Sequence, residues 1–236
     1  MNPYQKLQQR KRTWTPVQTT AGTVRDGSQE TIYRALAMRH MELPVGSFIQ
    51  DALSEIPALS ADLLRSNVKD EENHDLALGY IANALGVDET AEAEAKRLRD
   101  AWTAHPDHTV LKALVAERAI FFVLLPFFRF NGDAGLRTVS ADISRDEQVH
   151  VAANSLVCKE MGLEISPSLD KLRKATINWV MSPLKASTNK YLDKKFWLDA
   201  SDRLMYEGKA PELSDTKRAR MPAFFEHANP NLPQYA

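Results

Sequence analysis

The chain has 236 residues, with 30 Lys+Arg against 31 Asp+Glu, 44% hydrophobic residues and one cysteine, the composition of a soluble globular protein of one domain or at most two. It excludes a fibre, a disulfide framework, an intrachain CxxC redox pair and any metal cluster that needs several thiolates. A formal net charge of −1 supplies no global attraction to nucleic acid or anionic lipid, so neither is expected as a main partner, and the cysteine usage fits a reducing, cytoplasmic compartment.

In chain order, residues 1–27 form an N-terminal arm. Its Lys6, Arg10, Lys11 and Arg12 come without the apolar stretch that a secretory signal needs, and a mobile arm is expected. Residues 28–207 follow as one helical domain, because glycines are few and apolar residues recur at three- and four-residue steps. A first segment, Ser28 to Leu43, is ended or kinked by Pro44, and a second apolar stretch runs from Phe48 to Ile56. After Pro57 a helix of about twenty-five residues is predicted to reach Leu85 and stop at Gly86. Glu89 to His105, rich in Ala, Glu, Lys and Arg, reads as a solvated covering helix closed by Pro106. Two long helices follow, His108 to Phe130 with a kink at Pro126, and Asp133 to Met161, joined by the turn Asn131-Gly132. The longest apolar run, Ala119 to Phe128, is too short to span a bilayer, so no membrane segment is expected. Helical stretches at Leu169 to Trp179 and Lys190 to Tyr206 precede a proline-broken C-terminal tail, residues 208–236, read as extended and docked or disordered.

Chemistry enters through ionisable residues on the inward faces of these helices. In the helix before Gly86 the apolar stripe reads Leu64, Val68, Glu71, His74, Leu78, Ile81, Leu85, one face at helical spacing. In the helix from Asp133 it reads Leu136, Val139, Ile143, Glu147, His150, Val157, Met161, with Asn154 in between. Between them, Val110, Leu114, Glu117, Phe121, Leu124 and Phe128 place one glutamate in the most apolar stretch of the protein.

A buried carboxylate without a partner costs several kcal/mol or becomes neutral, and several together are worse. Lys and Arg are missing from the stripes, whereas two divalent ions would balance four carboxylates, with imidazoles completing the coordination. Glu and His at i and i+3 lie about 60° apart on a helix and can reach one ion together. A ferritin-like dimetal bundle uses one Glu from each of two helices and Glu-x-x-His from each of two others. The expected fold is therefore all-α, a ferritin-like helical bundle with additional helices and an extended C-terminal tail. The fourth ligand must come from before Pro57, where Glu42, Glu30 and Asp51 compete. Glu42 precedes Glu71 by 29 residues, much as Glu117 precedes Glu147 by 30, which favours it in a pseudo-symmetric pair of helix hairpins. Glu30 also suits a helix's first turn, and Asp51 a solvated face.

These residues resemble the radical-generating small (beta) subunit of class I ribonucleotide reductase. AERAIFFVLLPFFRF followed by ISRDEQVH is similar to that family's E-x-x-x-FF segment and RDE-x-x-H helix, with Arg145, Asp146, Glu147 and His150 matching directly. EENH at Glu71 to His74 resembles its first E-x-x-H, Thr13-Trp14-Thr15-Pro16 its N-terminal element, and DRLM at Asp202 to Met205 a later helix. The chain is shorter than typical members, with a contracted connection between Glu71 and Glu117.

The resemblance implies a dimetal centre (Fe/Fe, Mn/Fe or Mn/Mn) assembled with dioxygen, in a homodimer that passes an oxidising equivalent to a separate large (alpha) subunit. The metal ligands would be Glu42, Glu71, His74, Glu117, Glu147 and His150, with Asp146 orienting His74 and Trp14 on the electron route. A reductase needs several active-site thiols, and Cys158 alone cannot supply them; it reads as a small core residue. The family's radical tyrosine lies four residues after the first motif's histidine, where this chain has Leu78, so an oxidant stored on the metals is expected. The tail, with Phe224, Phe225, Pro230, Pro233 and Tyr235, resembles the segment that docks on the large subunit. The alternative is a standalone ferritin-like dimetal oxidase or oxygenase acting on a small apolar substrate. A metal-storage protein is a third reading. His105 and His108, flanking Pro106 in a loop, read as a solvated turn.

Overall fold

In a computed structural model the structure describes residues 1–213. Of the expected tail, residues 208–213 are described, with Leu213 buried and Glu212 paired with Arg203, whereas Phe224, Phe225, Pro230, Pro233 and Tyr235 lie outside the described residues. The described chain is an all-α helical bundle with additional helices, its one β element an isolated bridge between Lys185 and Asp193. The helices are α1 (Pro3–Gln8), α2 (Gln29–Ala37), α3 (Glu42–Ala52), α4 (Ala61–Leu85), α5 (Glu89–Ala104), α6 (Thr109–Ala116), α7 (Phe122–Asn131), α8 (Ala134–Glu160), α9 (Pro167–Met181) and α10 (Lys194–Glu207). No described helix is long and apolar enough to cross a membrane.

Helix ends follow local chemistry. Gly86, at φ 89°, stops α4, in the left-handed region that a side chain resists. The Asp133 carboxylate accepts from the Leu136 amide at 2.8 Å and starts α8, as Asp88 does for Ala91 in α5, each satisfying an orphan donor of the first turn. Pro167 occupies the first turn of α9, where its missing N–H is not needed.

The interior bundle is α3, α4, the α6–α7 rod and α8, each packed on its neighbours. Its apolar fill is buried Val110, Leu114, Leu124, Phe128, Leu136, Val139, Ile143 and Val157. α2, α5, α9 and α10 cover it on the outside. The covering helix α5 still buries Trp102, whose indole N–H donates to Thr176 Oγ1 at 3.0 Å. Buried Arg173 is held by Asp170, Ser201 and Asp202, as a buried cation requires.

Four expectations are corrected. The break after α2 falls at a 3₁₀ turn, Met38–Met41, and Pro44 ends nothing, because it sits in the first turn of α3. The rod from Thr109 does not simply kink at Pro126. It widens into a π-helical segment, Glu117–Phe121, one turn upstream, where the Phe122 N–H reaches back to the Glu117 carbonyl. Such insertions bulge the helix and re-aim side chains. The last helix starts at Lys194, capped by Asp193, with a separate 3₁₀ turn at Lys190–Leu192.

The fourth correction concerns the N-terminal arm, which is docked. α1 packs on α8 and α4 with Tyr4 and Leu7 buried. Beyond it, Lys11 pairs with Asp70, Trp14 with Asp146, the Gly22 amide with Asp133, and the Arg25 guanidinium with the Phe130 carbonyl. Each arm donor meets an acceptor far away in sequence, which local periodicity does not reveal.

Candidate metal centre

α3, α4, the π-segment and α8 converge on one buried cluster of four glutamates and two histidines: Glu42, Glu71, His74 and Glu147 on one side, Glu71, Glu117 and His150 on the other. Within each group the donor atoms lie within 4.8 Å of one another. Glu42 is the first residue of α3, and Glu117 opens the π-segment. Glu71 and His74, and likewise Glu147 and His150, are i, i+3 pairs on α4 and α8, whose side chains share a face.

His74 Nδ1 lies 3.3 Å from Glu71 Oε2, 3.4 Å from Glu147 Oε1 and 3.7 Å from Glu42 Oε2. His150 Nδ1 lies 3.0 Å from Glu71 Oε1 and 3.8 Å from both Glu117 Oε1 and Glu147 Oε2. Glu71 and Glu147 thus turn one oxygen toward each imidazole, while Glu42 and Glu117 belong to one side each. The imidazole centroids are 5.7 Å apart.

Behind the cluster the connections cross between helices. His74 Nε2 is 3.3 Å from Asp146 Oδ2 of α8, and His150 Nε2 is 2.9 Å from Asp70 Oδ2 of α4. An Nε2–H that donates to its aspartate leaves the Nδ1 lone pair facing the glutamates. Asp146 Oδ2 also accepts from the Trp14 indole N–H at 2.7 Å, and Asp70 pairs with Lys11 Nζ at 2.5 Å.

The cluster's electrostatics demand positive charge. Burial pushes the Glu42 and Glu117 carboxyls well above the usual carboxylate range, Glu71 and Glu147 adding to it for Glu42, and Glu147 and Glu71 for Glu117. Burial raises Glu147 too, with Glu71 adding. Burial also acts against the charge on Glu71, yet His150 and His74 outweigh it and hold that carboxyl well below its usual range. Both imidazoles are driven well up by their carboxylate neighbours in spite of burial.

The residues also fit a metal by their unmet bonds. Both oxygens of Glu42, Glu71 and Glu147, one oxygen of Glu117, and Nδ1 of both histidines are buried without a hydrogen-bond partner. Buried polar atoms are nearly always satisfied, and here the unsatisfied ones converge on one place. The cluster could hold a metal ion, and its oxygen and nitrogen donors suit a hard or borderline divalent cation.

The rivals for the first-helix position lie elsewhere. Glu30 pairs with Arg34 at 2.8 Å on the surface, and Asp51 is exposed. Leu78 is buried in the core four residues after His74. Burial, with the nearby Glu117 charge, pushes the Cys158 thiol up to about 12, so it is an inert core residue. His108 caps α6 by accepting from the Val110 amide at 3.2 Å, and His105 accepts from the Asp107 amide; neither approaches the cluster set.

Sequence reasoning missed Asp70 and Lys11. A signal for Asp70 was present: Asp stands immediately before the glutamate in both motifs, Asp70-Glu71 and Asp146-Glu147. None marks Lys11, because its partner is on another helix. Comparison with protein-family models, curated proteins and solved structures gives no match.

Proposed function

We propose that this chain is the oxidant-generating small subunit of a class I ribonucleotide reductase, acting on a separate large subunit. The carrying observation is the buried Glu42–Glu71–His74–Glu117–Glu147–His150 cluster, together with the line of contacts Trp14–Asp146–His74 that joins it to the half-buried arm. Two ions of iron, manganese or one of each, loaded with dioxygen, would supply a strong one-electron oxidant. Glu71 and Glu147, each with an oxygen toward both imidazoles, would help to hold both ions, with Glu42 on the His74 side and Glu117 on the His150 side.

The chain's own residues then have distinct tasks. Asp146 holds the tautomer and orientation of His74. The Trp14 indole is hydrogen-bonded to that aspartate and stacked 6.3 Å from the His74 ring, which supports a role for it in passing an electron inward. Leu78 is a hydrocarbon at the position where the family it resembles carries tyrosine, and it would store no oxidising equivalent. The apolar residues around the cluster keep bulk water away. Docking on the large subunit is assigned to the tail beyond Tyr206, and a homodimer is the expected assembly.

Leu78 favours one second reading, a standalone dimetal oxidase or oxygenase acting on a small apolar substrate. The two are separated by loading the full-length chain with iron and manganese, exposing it to oxygen, and recording electron paramagnetic resonance spectra and nucleotide reduction with candidate large subunits. Turnover that requires a large subunit and is lost on removing residues after Tyr206 supports the first reading. A loaded, oxygen-reactive chain without partner-dependent turnover supports the second.

A further inference from the structure

The two sides of the cluster are unequal, and the largest difference originates in the arm. Glu71 and Glu147 turn an oxygen toward each imidazole, joined by Glu42 beside His74 and by Glu117 beside His150. One Glu117 oxygen is engaged by Asn154 Nδ2 at 2.7 Å, while both oxygens of Glu42 have no hydrogen-bond partner. Behind His74, Asp146 receives a neutral donor, the Trp14 indole. Behind His150, Asp70 is ion-paired with Lys11 Nζ at 2.5 Å, which also donates to Asn67 Oδ1 at 2.9 Å. Lys11 and Asp70 are both largely shielded from water, with side chains 12% and 13% exposed, so the pair is screened little.

An outer carboxylate strengthens an imidazole as a metal ligand through the negative charge it brings to the far N–H. A cation on that carboxylate removes part of this charge, and its own field opposes a second cation nearby. Both effects weaken the His150 side and leave the His74 side alone.

We propose that Lys11 sets the two metal positions apart: by neutralising Asp70 it makes the His150 position the weaker one, so that a divalent cation fills the His74 position first. The inference rests on the dimetal reading above. Lys11 is a positioning residue that acts through Asp70, and the arm thereby differentiates two positions that the helices build almost alike.

The test is an anaerobic titration of the full-length, metal-stripped chain with Co²⁺, followed by calorimetry and by the cobalt visible spectrum. The wild type should bind in two steps. Losing a direct outer-shell partner costs about 10- to 100-fold in affinity. Lys11 stands one bond further out, so Lys11→Met should tighten the second step by about 5-fold and leave the first unchanged. Lys11→Arg should restore wild-type behaviour, and Asp70→Asn should weaken the second step alone. A purely structural Lys11 would give the opposite sign, a looser second step in Lys11→Met. That result, an unchanged second step, or an equal shift of both steps would overturn the inference while leaving two-metal binding intact. A wild-type chain that binds no Co²⁺ would instead overturn the dimetal reading.

Discussion

The α4 and α8 halves of the cluster carry the same Asp-Glu-x-x-His pattern and end in different surroundings. Asp146 meets an indole, Asp70 an ammonium. Helical periodicity alone brings glutamate and histidine to the same inward face on each helix, so local sequence builds two similar halves. The difference comes from residues three apart in an arm that neither helix contains. A nearly symmetric helical frame is thus made unequal by an arm that lies outside it.

The comparison breaks most completely at the shared carboxylates. Glu71→Ala removes an oxygen from beside both imidazoles, so both metal steps should weaken by about 100-fold or more, beyond the effect of losing an outer partner; calorimetric titration measures this. Removing metal from the loaded wild type should also cost stability. Ligand at about 1,000 times its dissociation constant adds about 4 kcal/mol, so chelation should lower the melting temperature by roughly 10 °C for a chain of this size, as read by calorimetry.

A finer probe separates the halves. Asp146→Asn should weaken the first metal step and Asp70→Asn the second, each by about 10- to 100-fold. Equal effects of either change on both steps would show that the halves act as one unit.

The pH dependence has opposite signs with and without metal. In the metal-free chain His74 and His150 are raised above 6.5, and Glu42, Glu117 and Glu147 above 4.5. Their contributions are fully present below those unfolded values and are lost as pH rises through the raised folded values. Glu71, lowered, opposes them only in acid, where its contribution is lost as pH falls through its depressed value. The metal-free chain should therefore lose stability between pH 6.5 and 8, whereas metal binding, which must displace the histidine protons, should strengthen over the same range. Urea unfolding at both pH values, with and without metal, checks the sign. The smallest expected effect is Trp14→Phe, which deletes the hydrogen bond to Asp146 and should cost about 1.5 kcal/mol of unfolding free energy.

The helical frame was legible because its signals are local. The apolar stripes, Gly86 and the Asp133 cap placed α4 and α8 within a residue or two, and the same periodicity turned Glu71, His74, Glu147 and His150 inward. Glu42 was reachable only through the spacing argument, since Pro44 beside it reads equally as a break and as a first-turn residue. The π-segment at Glu117 left no mark in composition, because one extra residue in a turn is decided by how the rod packs. Lys11 and Trp14 find their partners 59 and 132 positions away, and no periodicity within the arm encodes that. Lys11 in isolation is one basic residue among several.

The most direct test of the dimetal centre is elemental analysis of the full-length chain after loading with iron and manganese and removal of loosely bound metal, beside Glu71→Ala. About two ions per wild-type chain, lost in the variant, are predicted. A wild-type chain that retains no metal, or the same amount as the variant, would contradict the account.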